Sequence, residues 1–174
     1  MAQTTRFACC LKTVITVFNL IDYIMREAAK WLEDIGRPTW FQEMLTRENL
    51  TQPAGEFIVM YDDGGNSVAT LICSPLRNSD LEFWPNLPES NNGFIHKMAI
   101  RRAFAAQGLA KKLMQFTIEE YKKMNFSAIY LDCRADYPYP SAFYKDIGFK
   151  LIETKPCPFK SPRIKTVSLL KMEL

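Results

Sequence analysis

One stretch, residues 94 to 121, constrains the fold more than any other part of the chain. It reads FIHKMAIRRAFAAQGLAKKLMQFTIEEY. An apolar run from Phe94 to Ile100 ends at two arginines, a loop of small residues follows, and Gln107 opens a segment with helical periodicity. This order predicts a strand that leads through a short loop into a helix whose apolar side faces a sheet.

The loop between this strand and helix has the chemistry of a binding site for an anion the size of pyrophosphate. Backbone N–H groups at the start of a helix lack acceptors within the helix and lie at the positive end of its dipole. Small residues let a phosphate approach those groups closely. A tight turn that only lets the helix pack on the sheet would explain the same residues. The small residues are Ala105, Ala106, Gly108 and Ala110, and the flanking cations are Arg101, Arg102, Lys111 and Lys112.

Two common phosphate-binding motifs do not fit this loop. The dinucleotide fingerprint G-x-G-x-x-G needs more glycines than the single Gly108 and a βαβ unit around them. A P-loop needs a Gly-Lys-Ser or Gly-Lys-Thr sequence, which the chain lacks. The residues therefore point to an anion site but do not name its ligand.

Composition argues against several other functions. The net charge of +3, from 22 basic and 19 acidic residues, is too small to favour nucleic acid as a partner. Five scattered cysteines and one histidine make a metal site improbable and favour free thiols in a reducing compartment, so we expect a cytoplasmic protein. The apolar segment 14–25 is interrupted by Asp22 and is too short to span a membrane.

Periodicity along the whole chain predicts an α+β fold in a single domain over residues 1–174. We expect about six to seven strands in a mixed, mostly antiparallel sheet flanked by about four helices. One parallel step is expected across the helix that begins near Gln107. Residues 75–92 read as a long irregular loop, which is usually functional or mobile. Predicted helices cover 12–35, 40–48, 107–124 and 138–147, and predicted strands cover 6–10, 56–61, 67–74, 93–100, 127–133, 149–154 and 166–174.

Two segments resemble a known family. AIRRAFAAQGLAKKLM resembles motif A of the GNAT superfamily of acyl-CoA-dependent N-acetyltransferases, R/Q-x-x-G-x-G/A, at the start of the helix after the fourth strand. LDCRADYPYPSAFYKDIGF resembles motif B of that superfamily, D-N-P-x-A-x-x-F-Y-x-x-x-G-F. The resemblance extends over residues 93–149, and outside them only the order and length of the elements agree. The motif B matches are Asp136, Pro138, Phe143, Tyr144, Gly148 and Phe149.

The resemblance implies direct transfer of the acetyl group of acetyl-CoA to a primary amine, with no metal. It implies that the strand before the loop offers its backbone to the pantetheine arm and to the developing oxyanion, and that the loop binds the pyrophosphate. The acceptor would be a small-molecule or peptide amine, and a homodimer would be common for such a protein. The implied coenzyme-binding residues are Met98, Ala99, Ile100, Ala105, Ala106, Gln107, Gly108, Leu109, Ala110, Lys111, Tyr137 and Phe143.

The resemblance also implies catalytic roles. Tyr144 stands where the family places the tyrosine that protonates the leaving thiolate, and a phenol with pKa near 10 is already protonated at neutral pH. An alkyl ammonium has a pKa near 10.4, so a base or a water chain must remove its proton. Glu82 is our first candidate for that base, followed by His96 and Asp80. His96 alternates with Met98 along its strand, so we expect both on one face.

Three positions depart from the family pattern. Ala103 stands where the motif prefers Gln or Arg, Ala106 where it prefers Gly, and Tyr137 where Asn is frequent. Alanine at position 106 fits the loop without strain only with a negative φ. These departures leave a second hypothesis open, in which the chain is a non-catalytic sensor or scaffold module that binds acyl-CoA.

Overall fold

The computed structural model describes residues 6–10, 15–40, 42–51, 56–76, 78–87, 91–159 and 164–174. The chain divides into two compact units, and each is described by itself. The first unit comprises Met1–Cys73 and Lys97–Leu113, and the second comprises Ser74–His96 and Met114–Leu174. The single domain expected for residues 1–174 stays a prediction.

The described residues form the α+β fold that the sequence predicts, with seven strands and five α-helices. Two single turns of 3-10 helix, Gln42–Met44 and Arg102–Phe104, accompany them. The strands are β1 Arg6–Cys10, β2 Glu56–Tyr61, β3 Ser67–Ser74, β4 Asn92–Ile100, β5 Ala128–Arg134, β6 Lys150–Pro156 and β7 Thr166–Glu173. The helices are α1 Ile15–Asp34, α2 Arg47–Thr51, α3 Asn78–Phe83, α4 Leu109–Lys123 and α5 Pro138–Ile147.

The sheet is mixed and mostly antiparallel, as predicted. Its strand order is β1-β2-β3-β4-β5-β7-β6. The parallel step is the pairing of β4 with β5, in which Phe94 lies opposite Tyr130. Helix α4 joins these two strands, which confirms the expected crossover.

The core of the first unit forms where α1 packs on the β2–β3 hairpin. Apolar residues recur along α1 at helical spacing, and Ile21, Ile24 and Met25 have no exposed surface. They pack with side chains of the hairpin that include Phe57 and Ile72. This packing fixes the face of α1 that the unit buries.

The second unit depends on one close approach of a helix to a strand. A Cβ atom on Gly93 would lie 2.3 Å from the ring of Tyr121. The Tyr121 hydroxyl donates a hydrogen bond of 2.7 Å to the carbonyl of Phe94. Glycine at position 93 is therefore what lets α4 pack this ring directly against the backbone of β4.

Two local predictions were wrong. Residues 75–92 are not irregular throughout, because they contain helix α3 and the buried side chain of Trp84. The helix predicted over 40–48 is the 3-10 turn and α2 instead. Lys97 in the middle of β4 has a φ of 48°, which is not a regular strand conformation, so the placement of His96 and Met98 on one face stays a prediction.

The apolar segment 14–25 lies in α1 from Ile15 onward. Residues 11–14, which the predicted helix begins in, lie outside the described residues. Of the helices in the described ranges, none combines the length and the apolar character that crossing a membrane requires.

Candidate active site

In the first unit, the chain leaves β4 through a loop with two residues in the left-handed region of φ. The 3-10 turn Arg102–Phe104 ends at Ala105, whose φ of −65° and ψ of 156° are extended. Ala106 follows with a φ of 61° and Gly108 has a φ of 72°. The condition under which alanine would fit at position 106 without strain, a negative φ, is therefore not met. The loop needs the left-handed turn to enter α4, and alanine adopts it at a cost of about 1–2 kcal/mol.

The loop leads directly into the start of α4, and its first N–H, that of Ala105, donates to the Arg102 carbonyl at 3.1 Å. The first hydrogen bond along the helix runs from the Lys112 N–H to the Gly108 carbonyl, at 3.2 Å. The amides of the residues before Lys112 thus occupy the helix terminus, where the dipole favours an anion. A Cβ atom on Gly108 would meet no other atom within 4 Å, so the space beside this backbone is open.

The residues that the resemblance implies for coenzyme binding in this unit lie along β4, the loop and the first turn of α4. Ala99 and Leu109 are buried, Met98 and Ile100 are half-buried, and Lys111 is exposed. Ala106, Gln107 and Gly108 are exposed, whereas Ala105 and Ala110 are half-buried. The exposed residues of this set are therefore the middle of the loop and Lys111.

The side chains of the two arginines before the loop both contact other residues of the first unit. Arg101 donates from Nε to the Glu27 carboxylate at 3.2 Å and from its guanidinium to the Ser67 carbonyl at 3.1 Å. Arg102 places its guanidinium carbon 4.6 Å from the centre of the Trp31 ring. Both side chains thus connect the end of β4 to neighbouring elements of the first unit, and Lys111 and Lys112 are exposed in the first turn of α4.

In the second unit, Tyr144 lies on α5 among aromatic side chains. Its ring centre is 5.2 Å from that of Phe143 and 5.9 Å from that of Phe149. Burial raises the pKa of Tyr144, and the nearby Cys133 and Asp132 act in the same direction. The phenol is therefore held in its protonated form, which is the form that a proton donor requires.

Helix α5 ends cleanly, so that Tyr144 occupies a fixed position in its last turns. Gly148 adopts a φ of 115°, and its N–H closes the helix on the carbonyls of Tyr144 and Lys145. The Phe149 N–H donates to the Tyr144 carbonyl at 3.1 Å. This left-handed cap is the reason for glycine at the position that ends the second motif.

The start of α5 is fixed by a cluster that the sequence did not predict. Tyr137 is the residue that precedes the helix, and its side chain makes no capping hydrogen bond. Its ring instead lies 4.3 Å from the guanidinium carbon of Arg134. Arg134, which is buried, donates from Nε to Asp136 at 2.9 Å and lowers the pKa of that carboxyl group. Tyr137, which stands where the family frequently has asparagine, thus packs its side chain on Arg134.

The base candidates separate by exposure. The His96 Nε2 atom lies 3.0 Å from the Ser74 hydroxyl oxygen and 3.9 Å from a carboxylate oxygen of Asp80. Asp80 and Ser74 are buried, and the His96 ring stacks on Phe94. Glu82 is exposed on α3. The structure thus brings together His96 and Asp80, and sequence reasoning missed Ser74, since no pattern in the sequence links position 74 with 96.

Metal ligands do not converge anywhere in the part of the chain that the structure describes. Among those residues, no group of three or more His, Cys, Asp and Glu side chains is arranged to hold a metal ion.

Comparison with known families identifies the chain. The model of the Acetyltransferase (GNAT) family matches residues 23–149, more than half of the chain. The chain is also 24% identical over 135 residues to the uncharacterized N-acetyltransferase YesJ of Bacillus subtilis (strain 168), which covers 74% of each protein. The chain therefore belongs to the GNAT family of acetyltransferases.

Solved structures share this fold at low sequence identity. A GNAT-family acetyltransferase from Listeria monocytogenes aligns with a TM-score of 0.74 and 20% identity, covering 99% of this chain and 95% of that one. The ribosomal-protein-S18-alanine N-acetyltransferase of Escherichia coli aligns with a TM-score of 0.71 and 13% identity, covering 98% of this chain and 94% of that one. At these identities the likeness establishes the fold and leaves the acceptor open.

Proposed function

We propose that this member of the GNAT family transfers the acetyl group of acetyl-CoA to a primary amine by direct attack on the thioester. The observation that carries the proposal is the loop from Ala105 to Ala110, whose exposed backbone leads into the positive end of α4 beside the open space at Gly108. A doubly charged pyrophosphate suits this site, because N–H groups and a helix dipole bind it without a side-chain cation.

The backbone of the first unit would hold the coenzyme. Amides of the loop would bind the pyrophosphate, and Lys111 would add a charge at the first turn of α4. The backbone of Met98, Ala99 and Ile100 would run beside the pantetheine arm, with one N–H donating to the oxyanion that develops on the thioester carbonyl. A donor of this kind lowers a barrier by about 3 kcal/mol. In the second unit, Tyr137 and Phe143 are the proposed contacts.

Tyr144 would donate the proton that the leaving group needs. When the amine nitrogen bonds to the thioester carbon and the carbon–sulfur bond breaks, the sulfur leaves as a thiolate. The phenol hydroxyl of Tyr144 then supplies the proton that converts the thiolate to a thiol. The raised pKa keeps the Tyr144 hydroxyl protonated at neutral pH but also makes it a weaker acid, so the match to the second motif, and not the pKa, supports this role. The phenolate that forms would regain its proton from solvent before the next turnover.

His96 is the group we propose to remove the proton of the amine. Histidine is the side chain whose ordinary pKa suits proton transfer near neutrality. The Ser74 hydroxyl at 3.0 Å and the Asp80 carboxylate at 3.9 Å fix the orientation of the ring, and the carboxylate stabilises the imidazolium that forms. Glu82, our first candidate from sequence, remains the competing base and is exposed to solvent.

The acceptor is a primary amine on a small molecule or a peptide. Asp80 and Glu82 on α3 would favour a cationic acceptor, because an ammonium group is attracted to carboxylates. We also propose a cytoplasmic location, because the chain has free thiols, and a homodimer, because proteins of this family are commonly dimers.

The decisive experiment is turnover with a panel of primary amines, among them polyamines, amino acids and short peptides. Release of the coenzyme A thiol would be followed with a thiol reagent, with acetyl-CoA as donor. Amine-dependent release above the rate of spontaneous hydrolysis is the expected result. Binding of acetyl-CoA without turnover of any amine would instead favour the non-catalytic sensor.

A further inference from the structure

We propose that Glu27 of α1 is a positioning residue for the coenzyme loop, which it holds through the side chain of Arg101 and the backbone N–H of Arg102. This inference rests on the proposed function, since it assigns to α1 a role in acetyl-CoA affinity. It applies entirely within the first unit.

Both oxygens of the Glu27 carboxylate are used at the point where β4 becomes the loop. Oε1 accepts a hydrogen bond of 2.7 Å from the backbone N–H of Arg102. Oε2 accepts one of 3.2 Å from Nε of Arg101. One side chain of α1 therefore fixes the backbone and the side chain of two successive residues.

The neighbours of Glu27 along α1 extend the same contact. Tyr23 and Trp31 lie one helical turn to either side, at a spacing of four residues. The Arg101 guanidinium carbon is 5.1 Å from the centre of the Tyr23 ring, and that of Arg102 is 4.6 Å from the centre of the Trp31 ring. Cation–π contacts of this kind orient a guanidinium as well as attracting it.

The loop needs such support because it contains a strained residue. Ala106, four positions after Arg102, has a φ of 61°. A residue in this region persists only where the surrounding structure holds it there. Holding Arg102 at its backbone N–H fixes the start of the 3-10 turn that leads to Ala106, and through it the direction of the amides at the start of α4.

Removal of Glu27 should change the affinity for acetyl-CoA in opposite directions under the two explanations, positioning of the loop and simple electrostatics. Glu27 is a negative charge on the unit that binds a pyrophosphate, so its removal should strengthen anion binding if charge alone matters. If Glu27 acts by holding the loop, its removal should weaken binding.

The test compares Glu27→Gln, Glu27→Ala and a matched control, Asp22→Asn, in the full chain. Asp22 also lies on α1 and pairs with an arginine, through a 2.8 Å contact with Arg26, but that arginine contacts the segment at Gln42 and Leu45. Calorimetry would measure the Kd for acetyl-CoA, steady-state kinetics would separate KM from kcat, and thermal unfolding would report folding.

We expect Glu27→Ala to raise the Kd and KM for acetyl-CoA about tenfold, as loss of charge-assisted hydrogen bonds would do, with kcat within about twofold. Glu27→Gln should show a smaller rise, because its amide oxygen still accepts from Arg102. Asp22→Asn should lower thermal stability and leave Kd unchanged.

An unchanged or lower Kd in both Glu27 variants would overturn the inference and leave the proposed function intact. If Glu27→Ala fails to fold, the Kd of Glu27→Gln for acetyl-CoA decides: a higher Kd supports the inference, and an unchanged or lower Kd overturns it. A rise in Kd of equal size in Asp22→Asn would also overturn it, because the effect would then be a general loosening of α1. Failure of the unsubstituted protein to bind acetyl-CoA would overturn both proposals.

Discussion

The two units of the molecule present two different kinds of chemistry. In the first unit, the loop from Ala105 to Ala110 leads into the backbone amides at the start of α4, and the nearby arginines contact α1. In the second unit, Tyr144 and Cys133 are half-buried ionisable side chains, and burial is the leading cause that raises the pKa of each. We therefore propose that the first region acts through its backbone conformation and the second through the protonation state of a side chain.

This difference determines which substitutions report on each region. A side chain removed from the loop leaves its amides in place, so binding there should respond to changes in φ and in the contacts that hold the backbone. A single atom removed from Tyr144 should abolish its chemistry while the fold persists. The predictions below use this contrast, beginning with the largest effect.

Tyr144→Phe should lower kcat about a hundredfold and leave the Kd for acetyl-CoA nearly unchanged, because only the proton donor is lost. Tyr139→Phe on the same helix is the matched control, since that side chain is 71% exposed. Steady-state kinetics with saturating donor would measure both. An unchanged kcat in Tyr144→Phe would remove Tyr144 from the mechanism.

His96→Gln should lower kcat by about tenfold or more, whereas Glu82→Gln should change it by less than about twofold. The contrast follows from geometry, because His96 is held by Ser74 and Asp80 and Glu82 is exposed. Rates measured across a range of pH would separate the two candidates. The reverse order of effects would assign the base to Glu82.

Ala106→Gly should stabilise the protein by about 0.5–1 kcal/mol, because glycine adopts the left-handed φ without strain and offsets only part of this gain by chain entropy. Ala105→Gly, one residue earlier at a φ of −65°, should destabilise it by a similar amount. Urea unfolding of the two variants would measure the difference. If both variants changed the free energy of unfolding in the same direction, the loop would not be strained at Ala106.

Cys133 should affect the free energy of unfolding only at alkaline pH. Burial raises the pKa of its thiol to about 12 from 9.0, so the unfolded chain loses this proton first as the pH rises. Stability then falls progressively from about pH 9 toward pH 12. Tyr144 contributes in the same direction, because its pKa is also raised.

Cys133→Ser should therefore flatten the decline in unfolding free energy between about pH 8 and pH 10.5, relative to the unsubstituted chain. Urea unfolding at each pH would measure the free energy of unfolding of both proteins. The difference between them near pH 8 gives the effect of the substitution on packing and is subtracted at higher pH. Parallel curves for the two proteins would contradict the account of the second unit.

Sequence reasoning succeeded where one local pattern decides the structure. The β2–β3 hairpin and α5 begin and end where predicted, because alternating β-formers around Asp62–Asn66 and the sequence from Pro138 to Gly148 each specify their own ends. It failed where distant residues decide. Helix α3 is only six residues long and buries Asp80, so no periodic apolar pattern predicts it.

The arginines show the same limit at the candidate site. From the sequence, Arg101 and Arg102 look like cations beside an anion loop, because charge is a local property. Their engagement by Glu27 joins positions more than seventy residues apart, and no spacing rule connects them. The sign of φ at Ala106 stayed open for a similar reason, because the residue type alone does not decide it, and the structure gives it a positive value.

The most direct test of the account is thermal unfolding of the purified protein with and without acetyl-CoA, with ATP and NADH as controls. At about 100 times its Kd, a ligand adds about 2.7 kcal/mol of stability, which for a chain of this size raises Tm by several degrees. We predict such a rise with acetyl-CoA and none with ATP or NADH. No rise with millimolar acetyl-CoA would contradict the claim that the alanine–glycine loop binds the coenzyme.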